Sequence, residues 1–576
     1  MKLKTNYDVG SIPHCEYPRP QMVRDSYLTL NGTWNLYKGK AEQIYFVGDI
    51  LVPFSPEALN SGIADGFKLE KDERLIYKRD FELDNSMLLG ATVIHFGAVD
   101  SQCTVYINGI FVCDHRGGYT PFSADVTKHV HLGKNTIIVE CVDTTEQSHG
   151  ARGKQSSSPG GIWYTPQSGI WQSVWIESMP SKHIRDISVT TDAQRKSVTI
   201  KSEYEGKQTI KVFDNKSCII EKNFEKFVTV EYNFELWSPE SPRLYDFDIV
   251  TDSGDKIRSY FGVRTWGIGK DKNGISRLTL NGKPYFFNGI LDQGYWSDGL
   301  LTYPSDKAVI DELTMLKDMG FNMIRKHIKL EPMRWYYHCD RLGIAVWQDF
   351  VNGGGIYKFT HIAAFPFLGI KHDDSDYKYF AREDEQGRQE YEQSVYETIG
   401  ALKNCTCIST WVPFNEGWGQ FDSAKYTELV KKLDNTRIVD SVSGWHDQGV
   451  GNTEMLSLHT YYTPLKVPKD QRPVVLSEFG GYSLKVDGHV FNESKEFGYK
   501  KFKSEQELCD AIEHLYHKKL LPLIQKGLCA CVYTQVSDVE EEINGLITYD
   551  RKHIKVPIER MCQINSKLYS EAEKIK

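Results

Sequence analysis

Two glutamates stand where acid/base chemistry is easiest to build. Glu416 lies in Thr410-Trp-Val-Pro-Phe-Asn-Glu-Gly-Trp-Gly419 and Glu478 in Val474-Val-Leu-Ser-Glu-Phe-Gly-Gly481. Each follows an apolar, β-branched run that reads as a buried strand. Each is followed by glycine, directly or after one aromatic residue. A carboxylate at the end of an apolar strand is costly to bury without a purpose. Two of them suit cleavage of a glycosidic bond, one protonating the leaving oxygen and the other attacking the anomeric carbon. The bland alternative gives them helix-cap or ion-pair roles.

Companions of the right type end other apolar runs. Arg325 is followed by Lys326-His327, and a guanidinium there can hold a neighbouring carboxylate ionised. Tyr461, in His459-Thr-Tyr-Tyr462, can hydrogen-bond the same carboxylate. Asp292, His327, Asp349, Asn352 and Trp445 follow further strand candidates and are candidates for contact with sugar hydroxyls, or for loop structure alone. His446, beside Trp445, reads as a loop hydrogen-bond partner rather than a catalyst.

Positioning these residues requires a scaffold, and the pattern changes twice along the chain. Residues 1–180 alternate with period two in Leu75–Leu83, Ala91–Phe96, Cys103–Ile107 and Thr136–Val142, with turns at Asn108-Gly109 and Gly117-Gly118. That argues an all-β sandwich. A polar, Gly/Ser-rich loop at 150–161 is long for a compact domain, so it is either mobile or functional. Residues 181–265 hold more short alternating strands and suit an immunoglobulin-like β-sandwich. From 266 to 576 eight strand candidates alternate with helical patterns, which argues a (β/α)₈ TIM barrel. Functional residues of such a barrel sit at the C-terminal ends of its strands. Glu416 then ends strand four and Glu478 strand seven, facing each other across the mouth.

Composition excludes several classes. The 576 residues are too many for one core, and a net charge of −8 leaves no electrostatic footprint for nucleic acid or an anionic membrane. No apolar run of membrane-spanning length and no signal-peptide pattern is visible, so a cytoplasmic protein is expected. Cys405/Cys407 and Cys529/Cys531 read as core thiols, because no second Cys/His pair completes a tetrahedral metal site.

The motifs together resemble glycoside hydrolase family 2, the family of β-galactosidases, β-glucuronidases and β-mannosidases. The matching stretches are Ser168-Gly-Ile-Trp-Gln-Ser-Val-Trp-Ile-Glu177, Phe261-Gly-Val-Arg-Thr265, Leu280-Asn-Gly-Lys-Pro284, Gly320-Phe-Asn-Met-Ile-Arg325, Asn415-Glu416 and Ser477-Glu-Phe479. The resemblance implies a jelly-roll β-sandwich that is sugar-binding-like, then the immunoglobulin-like domain, then a catalytic barrel. It makes Glu416 the acid/base, Glu478 the nucleophile and Asn415 a partner of the sugar 2-hydroxyl. It implies a retaining exo-β-glycosidase acting on a carbohydrate substrate, with room for a homo-oligomer. The family's β-glucuronidases carry Asn-x-Lys after strand eight. Here Asn544 is present without that lysine, and Glu540-Glu-Glu542 places negative charge nearby. A neutral sugar is therefore expected, a β-galactoside first, with β-glucuronidase, β-mannosidase or an inactive carbohydrate-binding protein as alternatives. The loop after strand three lacks the Glu-x-His pattern of metal-dependent relatives, so no cofactor and no required metal are expected.

Overall fold

The computed structural model describes residues 3–575 except 42, 64–65 and 146–148. Alternating burial builds the first domain. In Gln102–Ile107 the buried residues are Cys103, Val105 and Ile107. Asn108 and Gly109 follow with φ of +53° and +77°, the left-handed pair that a tight hairpin favours, and Ile110–Arg116 returns alongside. A four-stranded and a six-stranded antiparallel sheet result, enclosing a core that includes Trp34, Tyr77 and Ile176. Residues 187–261 form a three-stranded and a four-stranded sheet around Val198, Ile210 and Phe247.

The segment before the sandwich does not join its sheets. Thr5 donates through its backbone N to Asp298 at 2.8 Å, and the His14 ring meets the Tyr303 carbonyl at 2.9 Å. This stretch therefore runs along the barrel before the first sheet begins at Tyr27.

A short antiparallel sheet at 266–284 introduces the barrel. Its parallel strands are Phe287–Asp292 (one), Met323–Lys326 (two), Ala345–Asp349 (three), Ile408–Val412 (four), Ile438–Val439 (five), Leu456–Thr460 (six), Val474–Gly480 (seven) and Leu528–Thr534 (eight). Strand one pairs with both two and eight, so the order runs five-four-three-two-one-eight-seven-six. Side chains span the remaining seam between the ends of five and six. There Ser443 Oγ lies 3.4 Å from Ser457 Oγ and 3.1 Å from His459 Nε2. Strands two, three, four, seven and eight are buried along their whole length, because helices cover one face and the barrel interior the other.

The helices begin where their sequences cap them. Ser305 accepts from Ala308 N ahead of Asp306–Asp318, and Asp384 accepts from Gly387 N ahead of Glu385–Leu402. The four cysteines with metal-like spacing are buried thiols, and burial raises each of their pKa values. Among the described residues no helix is long and apolar enough to cross a membrane.

Candidate active site

The mouth of the barrel is organised around one guanidinium. Arg325, at the end of strand two, is fully buried. Its Nε and Nη2 donate to the two oxygens of Asp349, both at 2.9 Å. Nη2 also donates to Asn415 Oδ1 at 2.8 Å, and Nη1 to Glu478 Oε1 at 3.1 Å and to the Ser477 carbonyl at 3.2 Å. One rigid fork thus fixes residues from strands three, four and seven. Asp349 also meets His327 Nδ1 at 2.8 Å. Burial first, and then the charge of Lys154, push the His327 pKa well down, so the ring is neutral.

Glu478 has both oxygens engaged. Tyr461 donates to Oε2 and Arg325 to Oε1. Burial by itself would raise this carboxyl, but the charges of His459 and Arg325 outweigh it and hold the group below its ordinary value. Gly481 makes room for the support behind Tyr461. Tyr499 stacks on Tyr461 with ring centres 3.7 Å apart, and a Cβ on Gly481 would lie 2.3 Å from the Tyr499 ring.

Glu416 sits in a left-handed turn, with φ of +51° followed by Gly417 at +72°. Such a conformation costs about 1 kcal/mol or more in a non-glycine residue. It is held by the backbone N–H of Glu416 donating to the Ser443 carbonyl at 3.0 Å. A Cβ on Gly417 would meet the His446 ring at 2.7 Å, which accounts for the glycine. Burial raises the Glu416 carboxyl, and the Glu478 charge adds to this, against a lowering by His459.

His459 joins the two carboxylates. Its Nδ1 lies 2.6 Å from Glu416 Oε1, and its Nε2 lies 3.6 Å from Glu478 Oε1 and 3.4 Å from Arg325 Nη1. One ligand atom from each of Glu416, His459 and Glu478 falls within 4.8 Å of the others. A cation would fit that spacing, but the Arg325 guanidinium already supplies positive charge at Glu478. His459 is not among the residues expected from sequence, although alternation along strand six puts it on the same face as Tyr461.

Other expected residues are distributed less simply. Asn415 has its amide Nδ2 buried without a protein partner, free to donate to a hydroxyl. Trp445 is half-buried, its ring 6.3 Å from that of His459. Asn352 lies at the rim, where its carbonyl accepts from Arg152 N and Gly153 N. Asn544 is fully buried and donates to Glu542 at 3.1 Å. Asp292 does not reach the cluster. It stands opposite Lys326 in the strand register, so it points with Lys326 away from Arg325 and accepts that ammonium. Lys326 and Lys329 both donate to Glu331 at 2.7 Å, which gives the charged run after strand two a structural place behind the barrel wall.

The Gly/Ser-rich loop of the first domain closes one side of the mouth. Arg152 donates to the carbonyls of Gly354 and Gly355. Gly161 N donates to Glu541 at 3.1 Å, Thr165 N to Glu540 at 2.9 Å, and the Tyr164 hydroxyl to Glu542. Trp163 packs at 5.3 Å from Trp418, the residue two beyond Glu416. Lys154 projects from this loop over the Trp418 ring at 5.6 Å.

Comparisons with known proteins agree with this architecture. Three descriptions match in turn: the sugar binding domain of glycosyl hydrolases family 2 over residues 58–180, glycosyl hydrolases family 2 over 174–264, and the TIM barrel domain of that family over 272–553. A β-galactosidase from Thermoanaerobacter pseudethanolicus is 25% identical over 64% of this chain and 48% of its own length. A putative β-glucuronidase from Formosa agariphila is 27% identical over 66% of this chain and 34% of its own. The chain thus spans about half or less of these curated relatives. Among solved structures, a β-D-glucuronidase from Dictyoglomus thermophilum superposes with a TM-score of 0.74 at 20% identity, covering 96% of this chain and 98% of that one. A β-galacturonidase from Eisenbergiella tayi gives 0.70 at 17%, covering 96% and 99%. With a sandwich, an immunoglobulin-like domain and a barrel matched in that order, the chain belongs to glycoside hydrolase family 2.

Proposed function

We propose that this protein is a retaining exo-β-glycosidase that removes a terminal β-linked sugar by double displacement. The observation that carries the reading is the spacing of the two carboxyl groups. An oxygen of Glu416 lies within 4.8 Å of one of Glu478, an approach that suits carboxyl groups about 5–5.5 Å apart, as in retaining enzymes. An inverting pair needs roughly 6.5–9.5 Å to admit a water between them. Glu478, held ionised, attacks the anomeric carbon and displaces the aglycone. Glu416, whose carboxyl burial raises, gives its proton to the departing oxygen. Once the glycosyl-enzyme has formed, Glu416 takes a proton from water, which attacks the same carbon and releases the sugar. Glu416 Oε1 is bound to His459, so Oε2 is the oxygen that meets the leaving group.

The sugar is the finer question. A β-galactoside is supported by the missing lysine two places beyond Asn544 and by the galactosidases among the relatives. The acidic run at 540–542 does less to repel an acidic sugar than its charge suggests. Glu540, Glu541 and Glu542 accept from the first-domain loop instead of standing open in the mouth, and burial pushes Glu540 up to about 7. A β-uronoside is the second reading, favoured by the ammonium of Lys154 over the Trp418 ring, two residues beyond Glu416.

The test is an aryl β-glycoside panel on wild type and Glu478→Gln, with mass spectrometry of the enzyme trapped by a 2-fluoro glycoside. Loss of the nucleophile should cut turnover by about 10⁴-fold or more, a large share of typical enzymatic acceleration. Wild-type enzyme should carry the sugar adduct on Glu478. Near-normal turnover by Glu478→Gln, or an adduct elsewhere, would end the assignment.

A further inference from the structure

Lys154 stands beside Trp418 with its ammonium loosely paired. The residue is only 5% exposed, yet its Nζ has no acceptor within hydrogen-bonding distance among the described residues. The nearest carboxylate oxygen is Glu542 Oε2 at 3.9 Å. That carboxylate is already occupied, with Oε2 taking the Tyr164 hydroxyl and Oε1 the Asn544 amide. Two rings flank the ammonium, Tyr164 at 5.3 Å and Trp418 at 5.6 Å. Cation–π contact stabilises a charge there but satisfies none of its three N–H donors.

A loop anchor would not need this arrangement. The same loop is already pinned by Arg152, Gly161, Tyr164 and Thr165. The ion pair with Glu542 is long, so the N–H donors of Lys154 stay open to an acceptor that arrives from outside. The surroundings repeat the message. Trp418 Nε1 and Asn415 Nδ2, on neighbouring residues of the mouth, are buried donors without protein partners. Asn415 adjoins Glu416, and Trp418 lies 6.0 Å from His327.

We infer that Lys154, lent by the sugar-binding-like domain, is a specificity-determining residue that grips an anionic substituent of the substrate, a carboxylate or a sulfate on the glycoside. The inference rests on the glycosidase reading and names the substrate class for it. It also gives the neutral-sugar argument from Asn544 a physical answer, because the cation missing after strand eight is delivered from another domain.

The experiment measures kcat/KM for 4-nitrophenyl β-D-glucuronide, β-D-galacturonide, 6-sulfo-β-D-galactoside, β-D-galactoside and β-D-glucoside on wild type, Lys154→Met and Lys154→Arg. A charge-assisted hydrogen bond contributes about 1.5–3 kcal/mol, so Lys154→Met should reduce the anionic-to-neutral ratio by about 10–150-fold. Lys154→Arg should retain most of that ratio. Preference for the two uronides identifies a carboxylate, and preference for the sulfated sugar a sulfate. A wild-type enzyme that prefers neutral sugars, or a ratio unmoved in Lys154→Met, overturns the role of Lys154 while leaving the glycosidase reading intact. If no β-glycoside is turned over, the glycosidase reading fails on its own. Calorimetric titration with glucuronate, 6-sulfogalactose and galactose then still decides, since a Lys154-dependent preference for either anionic sugar upholds the inference and equal binding of all three refutes it.

Discussion

At the scale of single residues, the two carboxyl groups are set in opposite directions by surroundings they share. Burial dominates at Glu416 and raises it, whereas at Glu478 the charges of His459 and Arg325 overcome burial and lower it. Activity should therefore be bell-shaped in pH. The acid limb follows protonation of Glu478, below the usual carboxylate range, and the basic limb follows loss of the Glu416 proton, above it. His459 lowers both groups, so His459→Leu should move both limbs to higher pH and cut kcat/KM by about 10²-fold or more, within the range of positioned acid/base catalysis. Full pH–rate profiles of the two enzymes check this, and unmoved limbs would rule out His459 as the electrostatic link. The glutamates were legible in sequence because glycines follow apolar strands at both. His459 was not, because a histidine in an alternating strand gives no sign of what lies across the barrel. Asp292 misled for a related reason. It ends a strand as a functional residue should, but parallel register sets it beside Lys326 rather than Arg325.

At the scale of elements, the active groups depend on backbone turns that admit only small residues. Gly481 leaves the space in which Tyr499 stacks on Tyr461, and Tyr461 holds Glu478. Gly481→Ala should therefore displace the Tyr499 ring and reduce kcat by about 10²-fold, the scale at which ångström-sized misplacement acts. Gly488 is the control. It also has positive φ, at +82°, but nothing stands within 4 Å of its would-be Cβ, so Gly488→Ala should keep kcat near wild type. Equal losses in the two variants would mean that backbone strain, not the tyrosine stack, is responsible. Strands were legible to within a residue or two at many positions, such as Ala91–Phe96 and Cys103–Ile107, the latter observed as Gln102–Ile107. Strand five was not, because the apolar run from Arg437 to Val442 is split into Ile438–Val439 and Val442–Ser443. The buried Asp440 and Ser441 lie between, where the chain turns from one pairing to the next.

At the scale of the whole molecule, the three domains share their interiors. Buried Ala98, Tyr119, Tyr164 and Trp171 from the first domain and Trp237 from the second belong to one continuous apolar cluster with the barrel core. Polar contacts run the same way. Arg24 forms an ion pair with Asp255 and another with Glu177, both at 3.0 Å, linking the immunoglobulin-like domain to the sandwich. A division into residues 1–180, 181–265 and 266–576 therefore describes sheet architecture better than it describes independent folding. The sequence could not reveal this, since periodicity reports which residues are buried but not against which domain. Glu177 is the sharpest probe of the junction. Burial would raise its carboxyl, but Arg19, His95 and Arg24 overcome that and depress it, so its stabilising contribution is present at neutral pH and lost as pH falls through the depressed value. Glu177→Ala should cost about 3–5 kcal/mol, because it strands buried arginines without their counter-charge. The barrel expressed alone, residues 266–576, should likewise fail to form a rigid core, because large aromatic partners of that core would be absent. Soluble yield and near-ultraviolet circular dichroism of that fragment measure the effect. A soluble barrel with a sharp thermal transition would mean that the shared cluster is ornamental and that the first domain matters only through its loop at the mouth.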